Sequence, residues 1–122
     1  EIEALNNEPG VYSARYAGEE KEADANMNKV LAKLDKKNNR KARFKTVIAM
    51  QFSENQTELF EGIVEGEITN LPSGNGGFGY DPIFKPKGFE LTFSEMSAEQ
   101  KNAISHRGLA TQKLVKHLKS LL

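Results

Sequence analysis

The sequence contains no cysteine. That one absence removes disulfide scaffolds, thiolate metal sites and thiolate nucleophiles together. An excess of charge of either sign is also missing: Lys and Arg number 17, Asp and Glu number 17, and the formal net charge is zero. No overall field therefore gathers nucleic acid or an anionic membrane, and neither is an expected partner. Nothing in the chain approaches the roughly 20 consecutive apolar residues of a membrane helix, so it reads as a soluble, cytoplasmic protein. What is present is 122 residues, enough for one compact domain with a real core, and residues 1–122 are expected to form a single domain.

The pattern along the chain is mixed. EIEAL at residues 1–5 alternates as a strand would, so the chain opens inside structure and a preceding segment is expected to be missing. After the NNEPG turn at residues 6–10, Ala23, Met27, Val30, Leu31 and Leu34 fall at helical spacing. Basic residues gather at Lys36, Lys37, Arg40 and Lys41, as a helix C-terminus prefers. The basic run from Lys36 to Lys45 then reads as a helix end followed by an edge strand. Phe44, Thr46, Ile48, Met50 and Phe52 share one face of a period-two run. Phe60, Val64 and Ile68 do the same after the SENQ turn at residues 53–56, which predicts an antiparallel hairpin. Short extended pieces are expected around residues 82–84 and at LTF, residues 91–93. Ser97 with Gln100 predicts the cap of a short helix, and a longer helix starting near His106 carries Leu109, Leu114, Val115, Leu118 and Leu122 as its apolar stripe. His117, among lysines near that helix's end, reads as surface.

Two short stretches carry the chemistry. In GNGGFGYDPIF, residues 74–84, Gly74, Gly76 and Gly79 match the G-x-G-x-x-G spacing of dinucleotide-binding turns. That fingerprint must open a helix, and here Tyr80, Asp81 and Pro82 follow at once, so the dinucleotide reading fails; a kinase phosphate loop fails for want of its downstream motifs. Two readings remain: a hairpin turn with Phe78 tucked into the core, or a loop that brings backbone close to a ligand and presents Phe78 to it.

In SHRGLA, residues 105–110, Ser105 is a natural N-cap. It places His106 and Arg107 in a first helical turn, where the helix dipole disfavours a cation by about 0.3–1 kcal/mol. Either an acid such as Glu99 or Asp81 compensates, or the site takes an anion or an electron-rich ligand atom.

These two stretches, in order with PGVYSARYAG at residues 9–18, closely resemble the Ham1-like inosine triphosphate pyrophosphatases over essentially the whole chain. The resemblance implies an elongated α/β fold with a mixed central sheet flanked by helices, a homodimer, and dependence on Mg²⁺. It also implies hydrolysis of deaminated purine nucleoside triphosphates (ITP, dITP, XTP) to the monophosphate and pyrophosphate. By the same resemblance the substrate loop falls on Phe78, Gly79, Tyr80 and Asp81, a substrate lysine on Lys101, and the base-reading pair on His106 and Arg107 beside Ser105. A purine stacked on Phe78 would gain about 1–3 kcal/mol. Donors on His106 and Arg107 would favour an O6 acceptor over the N6 amino group of adenine.

The departures are as informative. The family's S/T-x-N-x-x-K phosphate motif, its metal-binding glutamate and its acidic DDSGL-type block with the catalytic aspartate do not occur in this sequence. By resemblance that aspartate belongs just before Glu1, and the metal ligands belong to the same missing part. This chain corresponds to the C-terminal two-thirds of such an enzyme, with no catalytic or metal residue of its own. The alternative reading is a purine-nucleotide binding fragment without catalysis; a purely structural domain would instead bury Phe78.

Overall fold

The structure, a computed structural model, describes residues 1–19 and 22–122. Its regular elements are α1 (Ala23–Lys33), β1 (Lys41–Ser53), β2 (Gln56–Ile68), β3 (Phe84–Pro86), α2 (Ala98–Ile104) and α3 (His106–Ser120), with 3-10 turns at Glu3–Leu5, Gly10–Arg15, Asp81–Ile83 and Phe93–Glu95. This is the α/β architecture expected from the sequence. The sheet order is β1-β2-β3, which makes β1 an edge strand. A connection of only Glu54 and Asn55 leaves β1 and β2 no sense but antiparallel. β2 and β3 are also antiparallel, with Gly66 opposite Pro86 and Ile68 opposite Phe84.

The hairpin forms where the period-two pattern predicts. Along β1, half-buried Phe44, Thr46, Ile48, Met50 and Phe52 alternate with exposed Lys45, Val47, Ala49 and Gln51. Along β2, Phe60, Val64 and Ile68 are buried. The chain divides into two compact units, Glu1–Arg43 with Glu65–Ser97, and Phe44–Val64 with Ala98–Leu122.

The first unit contains the larger set of buried apolar side chains. Met27, Val30 and Leu34 project from α1 or its C-cap, and Ile68, Ile83, Phe84 and Phe93 are buried with them. The Phe84 and Phe93 rings lie 5.3 Å apart. Each such side chain contributes about 1.5–3 kcal/mol by leaving water. Arg40 ties the end of α1 to the end of β2. Its guanidinium donates to the carbonyls of Leu34 at 3.2 Å, Ile68 at 2.7 Å and Thr69 at 2.8 Å, so the cation closes off three carbonyls at element ends.

In the second unit Phe60, Val64 and Ala110 are the buried apolar residues. α3 lies against β2 at Gly62, where a β-carbon would strike the His106 carbonyl and come within 2.7 Å of the Ala110 nitrogen. Only a residue without a side chain permits that approach.

Five expectations change. Of EIEAL, only Ile2 is extended, in an isolated antiparallel bridge with Ala42. Glu3–Leu5 turns into a 3-10 helix, and Asn6 and Asn7 follow at φ 57° and 67°. Residues 82–84 are the end of a 3-10 turn that Asp81 and Pro82 begin, and extension starts at Phe84. LTF is not a strand, because Thr92 caps the turn Phe93–Glu95 through a reciprocal capping box with Glu95. On α3, Val115 and Leu118 are exposed, as is Leu122 beyond its end, whereas His117 packs its ring 5.5 Å from Phe52 and 5.4 Å from Phe60. The packed face runs through His106, Ala110, Leu114 and His117, so His117 is part of the packing rather than surface.

Candidate functional site

Each unit carries one of the two stretches. In the first, the loop at residues 74–81 has no regular backbone pairing and is shaped instead by side chains. The Asp81 carboxylate, 3% exposed, accepts the Phe78 amide at 3.0 Å. Gly77 sits at φ +72°, where a β-carbon would also collide with the Asp81 carboxylate. Asp81 therefore turns inward and fixes the turn that precedes the ring. Phe78 itself is 54% exposed. It is not tucked into the core, and of the two readings of the loop the exposed one is observed.

Tyr80 anchors the other end. Its hydroxyl donates to the Ser13 carbonyl at 2.6 Å, which joins the glycine loop to the Gly10–Arg15 turn. Burial, with a smaller contribution from Tyr16, pushes the Tyr80 phenol up to about 12, so it keeps its proton and its donor role at neutral pH. Gly79 follows Phe78 at φ +60°. The PGVYSARYAG stretch is fastened from the other side by Asn26, which is buried on α1. Its side chain accepts the Ala17 amide at 2.7 Å and donates to the Ala14 carbonyl at 3.0 Å.

In the second unit, Lys101, Ser105, His106 and Arg107 meet at the α2–α3 corner. The Ser105 amide donates to the Lys101 carbonyl at 2.7 Å. The Ser105 hydroxyl, 3% exposed, accepts the Gly108 amide at 3.0 Å. Ser105 is thus the N-cap of α3, as its sequence position predicts. His106 stacks on Phe44, with centroids 4.7 Å apart and planes 21° from parallel, which fixes the plane of its ring. Arg107 is exposed and Lys101 half-buried.

Two features lie apart from these residues. A cavity of about 760 Å³ in the first unit is lined by residues that include Lys41, Glu65, Lys85 and Phe89. Its charged walls are partly paired with each other, Arg43 with Glu1 at 3.0 Å and Lys85 with Glu67 at 3.2 Å, which weakens the field it could offer an anion. Among the described residues no three His, Asp or Glu side chains are grouped as a metal site. The described residues by themselves therefore offer no ready set of ligands for a magnesium ion, which takes carboxylate and other oxygen donors. Among the described residues no helix is long and apolar enough to cross a membrane.

A sequence model of the Ham1 family matches residues 1–117. The chain belongs to the Ham1 family. It is 56% identical over 115 residues to a dITP/XTP pyrophosphatase of Flavobacterium johnsoniae, covering 94% of this chain and 59% of that protein. A dITP/XTP pyrophosphatase of Flavobacterium psychrophilum is 52% identical over 120 residues, 98% of this chain and 63% of its own length. Among solved structures, the Staphylococcus aureus Ham1 protein superimposes with a TM-score of 0.97 at 46% identity, over 100% of this chain and 64% of the other. A HAM1 protein from Coxiella burnetii does so with a TM-score of 0.93 at 42% identity, over 98% and 62%. The chain thus spans about three-fifths of the length of these Ham1 relatives.

Spacing along the sequence did not reveal the devices that hold the Ham1 glycine loop. Thr92 and Ser94 are buried and bonded to it. A signal was available, because Thr92 followed by Glu95 is a capping box, but alternation made residues 91–93 look extended.

Proposed function

We propose that this chain provides purine recognition in an enzyme that hydrolyses deaminated purine nucleoside triphosphates to the nucleoside monophosphate and pyrophosphate. The observation that carries the reading is the exposed Phe78 ring on a loop built to hold it. A phenyl group more than half in water, on a turn locked by a buried carboxylate, forgoes much of the stabilisation that full burial would give it. Stacking under a purine gives it a use worth about 1–3 kcal/mol. The names of the relatives, dITP/XTP pyrophosphatases, point to the same substrates.

In this reading Arg107 and His106 present donors to the O6 of hypoxanthine or xanthine. An adenine N6 amino group would leave those donors unpaired. Lys101 adds a cation for the nucleotide, Gly79 lets backbone come close, and Ser105, Tyr80 and Asp81 hold these groups in place. Magnesium, a homodimer and a cytoplasmic setting belong to the same proposal. A second reading, nucleotide binding without hydrolysis, is favoured by one observation: among the described residues no group of three or more His, Asp or Glu side chains could hold a metal ion, and phosphoryl transfer needs metal and fixed charge.

Calorimetric titration with IMP and ITP, paired with a pyrophosphate-release assay on ITP and Mg²⁺, separates the two. Binding that weakens on the order of tenfold in Arg107→Ala supports purine recognition, since a hydrogen bond to a charged group is worth about 1.5–3 kcal/mol. Pyrophosphate release decides for the hydrolase. Absence of heat with either nucleotide would overturn both.

A further inference from the structure

A loop with glycine at positions 74, 76, 77 and 79 has many backbone states of similar energy, and its own Asp81 fixes only the turn at Phe78. The stretch before that turn is bonded to the short segment at residues 92–95. Thr92 and Ser94 are 2% and 5% exposed, so their hydroxyls need partners, and they find them on the loop. Thr92 Oγ1 donates to the Ser73 carbonyl at 2.8 Å, and Ser94 Oγ donates to the Gly76 carbonyl at 2.6 Å. The Gly76 amide returns a bond to the Ser94 carbonyl at 3.2 Å.

The Thr92 bond is more than local capping. Within the capping box its oxygen accepts the Glu95 amide, while its own amide donates to Glu95 Oε1 at 3.0 Å. A hydroxyl has one proton and two lone pairs. The cap uses a lone pair, and the proton is left for the loop.

We infer that Thr92 and Ser94 are positioning residues for Phe78: two buried hydroxyls whose protons pin the carbonyls of Ser73 and Gly76 and so hold the loop in the form that presents the ring to a purine. The mechanical part stands on the bonds alone. The consequence for nucleotide affinity rests on the proposed function.

The chain contains no tryptophan, so Phe78→Trp in the full 122-residue chain places a single fluorophore on the loop. Time-resolved anisotropy without nucleotide then reads loop motion directly. Thr92→Val keeps the side-chain shape and removes the hydroxyl, and Ser94→Ala removes one atom. Each is expected to enlarge the fast component of the decay about twofold or more. Thr92→Ser, which restores the proton, returns it to the parent value. If packing of the Thr92 methyl were what mattered, Val would behave as the parent and Ser would not; that result, or an unchanged decay in both Thr92→Val and Ser94→Ala, overturns the inference. Should Thr92→Val fail to fold by circular dichroism, Ser94→Ala alone decides.

In a second arm, with Phe78 intact, Ser94→Ala is expected to weaken IMP binding roughly five- to tenfold. A parent chain that binds no IMP defeats the nucleotide reading and leaves the anisotropy outcome standing. A parent that binds and a Ser94→Ala chain that binds equally well, with a mobile loop, defeats the link between loop and ligand.

Discussion

In the glycine loop, position comes from side chains reaching to backbone: Asp81 to the Phe78 amide, Tyr80 to the Ser13 carbonyl, Thr92 and Ser94 to the carbonyls of Ser73 and Gly76. In the α2–α3 corner it comes from backbone and contact, a helix start capped by Ser105 and seated on β2 at Gly62, with His106 flat against Phe44. The contrast has an energetic meaning. Single hydrogen bonds contribute about 0.5–1.5 kcal/mol each, so the loop is held by several small terms and loosens locally when one is lost. A helix seated on a strand moves as a body, and disturbing its seat costs more.

The largest test of that contrast is Gly62→Ala. The added methyl meets only backbone, at the His106 carbonyl and Ala110 nitrogen, and no side chain can swing away. A loss of about 2–3 kcal/mol is expected, read by denaturant unfolding, with faster hydrogen exchange along α3. Gly77→Ala should cost about 1–2 kcal/mol, through its φ of +72° and the collision with Asp81. Its exchange signature should stay near Phe78. If the disturbance reached the first unit's core, the view of the loop as locally held would be wrong.

Ser105→Ala should cost about 1 kcal/mol, the usual worth of an N-cap, with the Gly108 amide exchanging faster. Tyr80→Phe should cost the least at pH 7, about 0.5–1 kcal/mol for one part-buried hydrogen bond. It also has a pH signature. An unfolded tyrosine ionises near pH 10, whereas folded Tyr80 holds its proton to about 12. Its contribution is fully present below pH 10 and is lost as pH rises toward 12, because the unfolded state alone gains by ionising. Urea midpoints measured from pH 9 to 12 should fall more steeply in the parent than in Tyr80→Phe; parallel slopes would remove the role given to burial.

The same contrast governs how much could be read from the residues. Period-two and 3.6-residue patterns located β1, β2 and α1, and a serine before a helical run located the start of α3, because burial on one face writes itself into spacing. The expected α/β class followed. What spacing missed was interaction between remote side chains and loop carbonyls. Thr92 and Ser94 sit where alternation suggested a strand, and their role depends on partners 19 and 18 residues away. The apolar stripe of α3 was misphased for a related reason. Its facing residues include Ala110 and His117, which composition does not mark as core, while Val115 and Leu118 are in water. Of the candidate site, the cap at Ser105 was legible; the exposure of Phe78 was left open between two readings, and the inward turn of Asp81 was not legible, since a carboxylate beside glycines looks equally suited to a ligand or to an amide.

The bond from Tyr80 to Ser13 joins positions 67 residues apart, and chain closure over that distance is slow and entropically expensive compared with forming a hairpin across two residues. The ring-bearing turn should therefore be among the last pieces to settle during folding, after β1 and β2 have zipped. In pulse-labelling exchange the Phe78 amide should gain protection later than those of the hairpin, so a nascent or truncated chain that has already built its sheet would still lack the turn that presents Phe78.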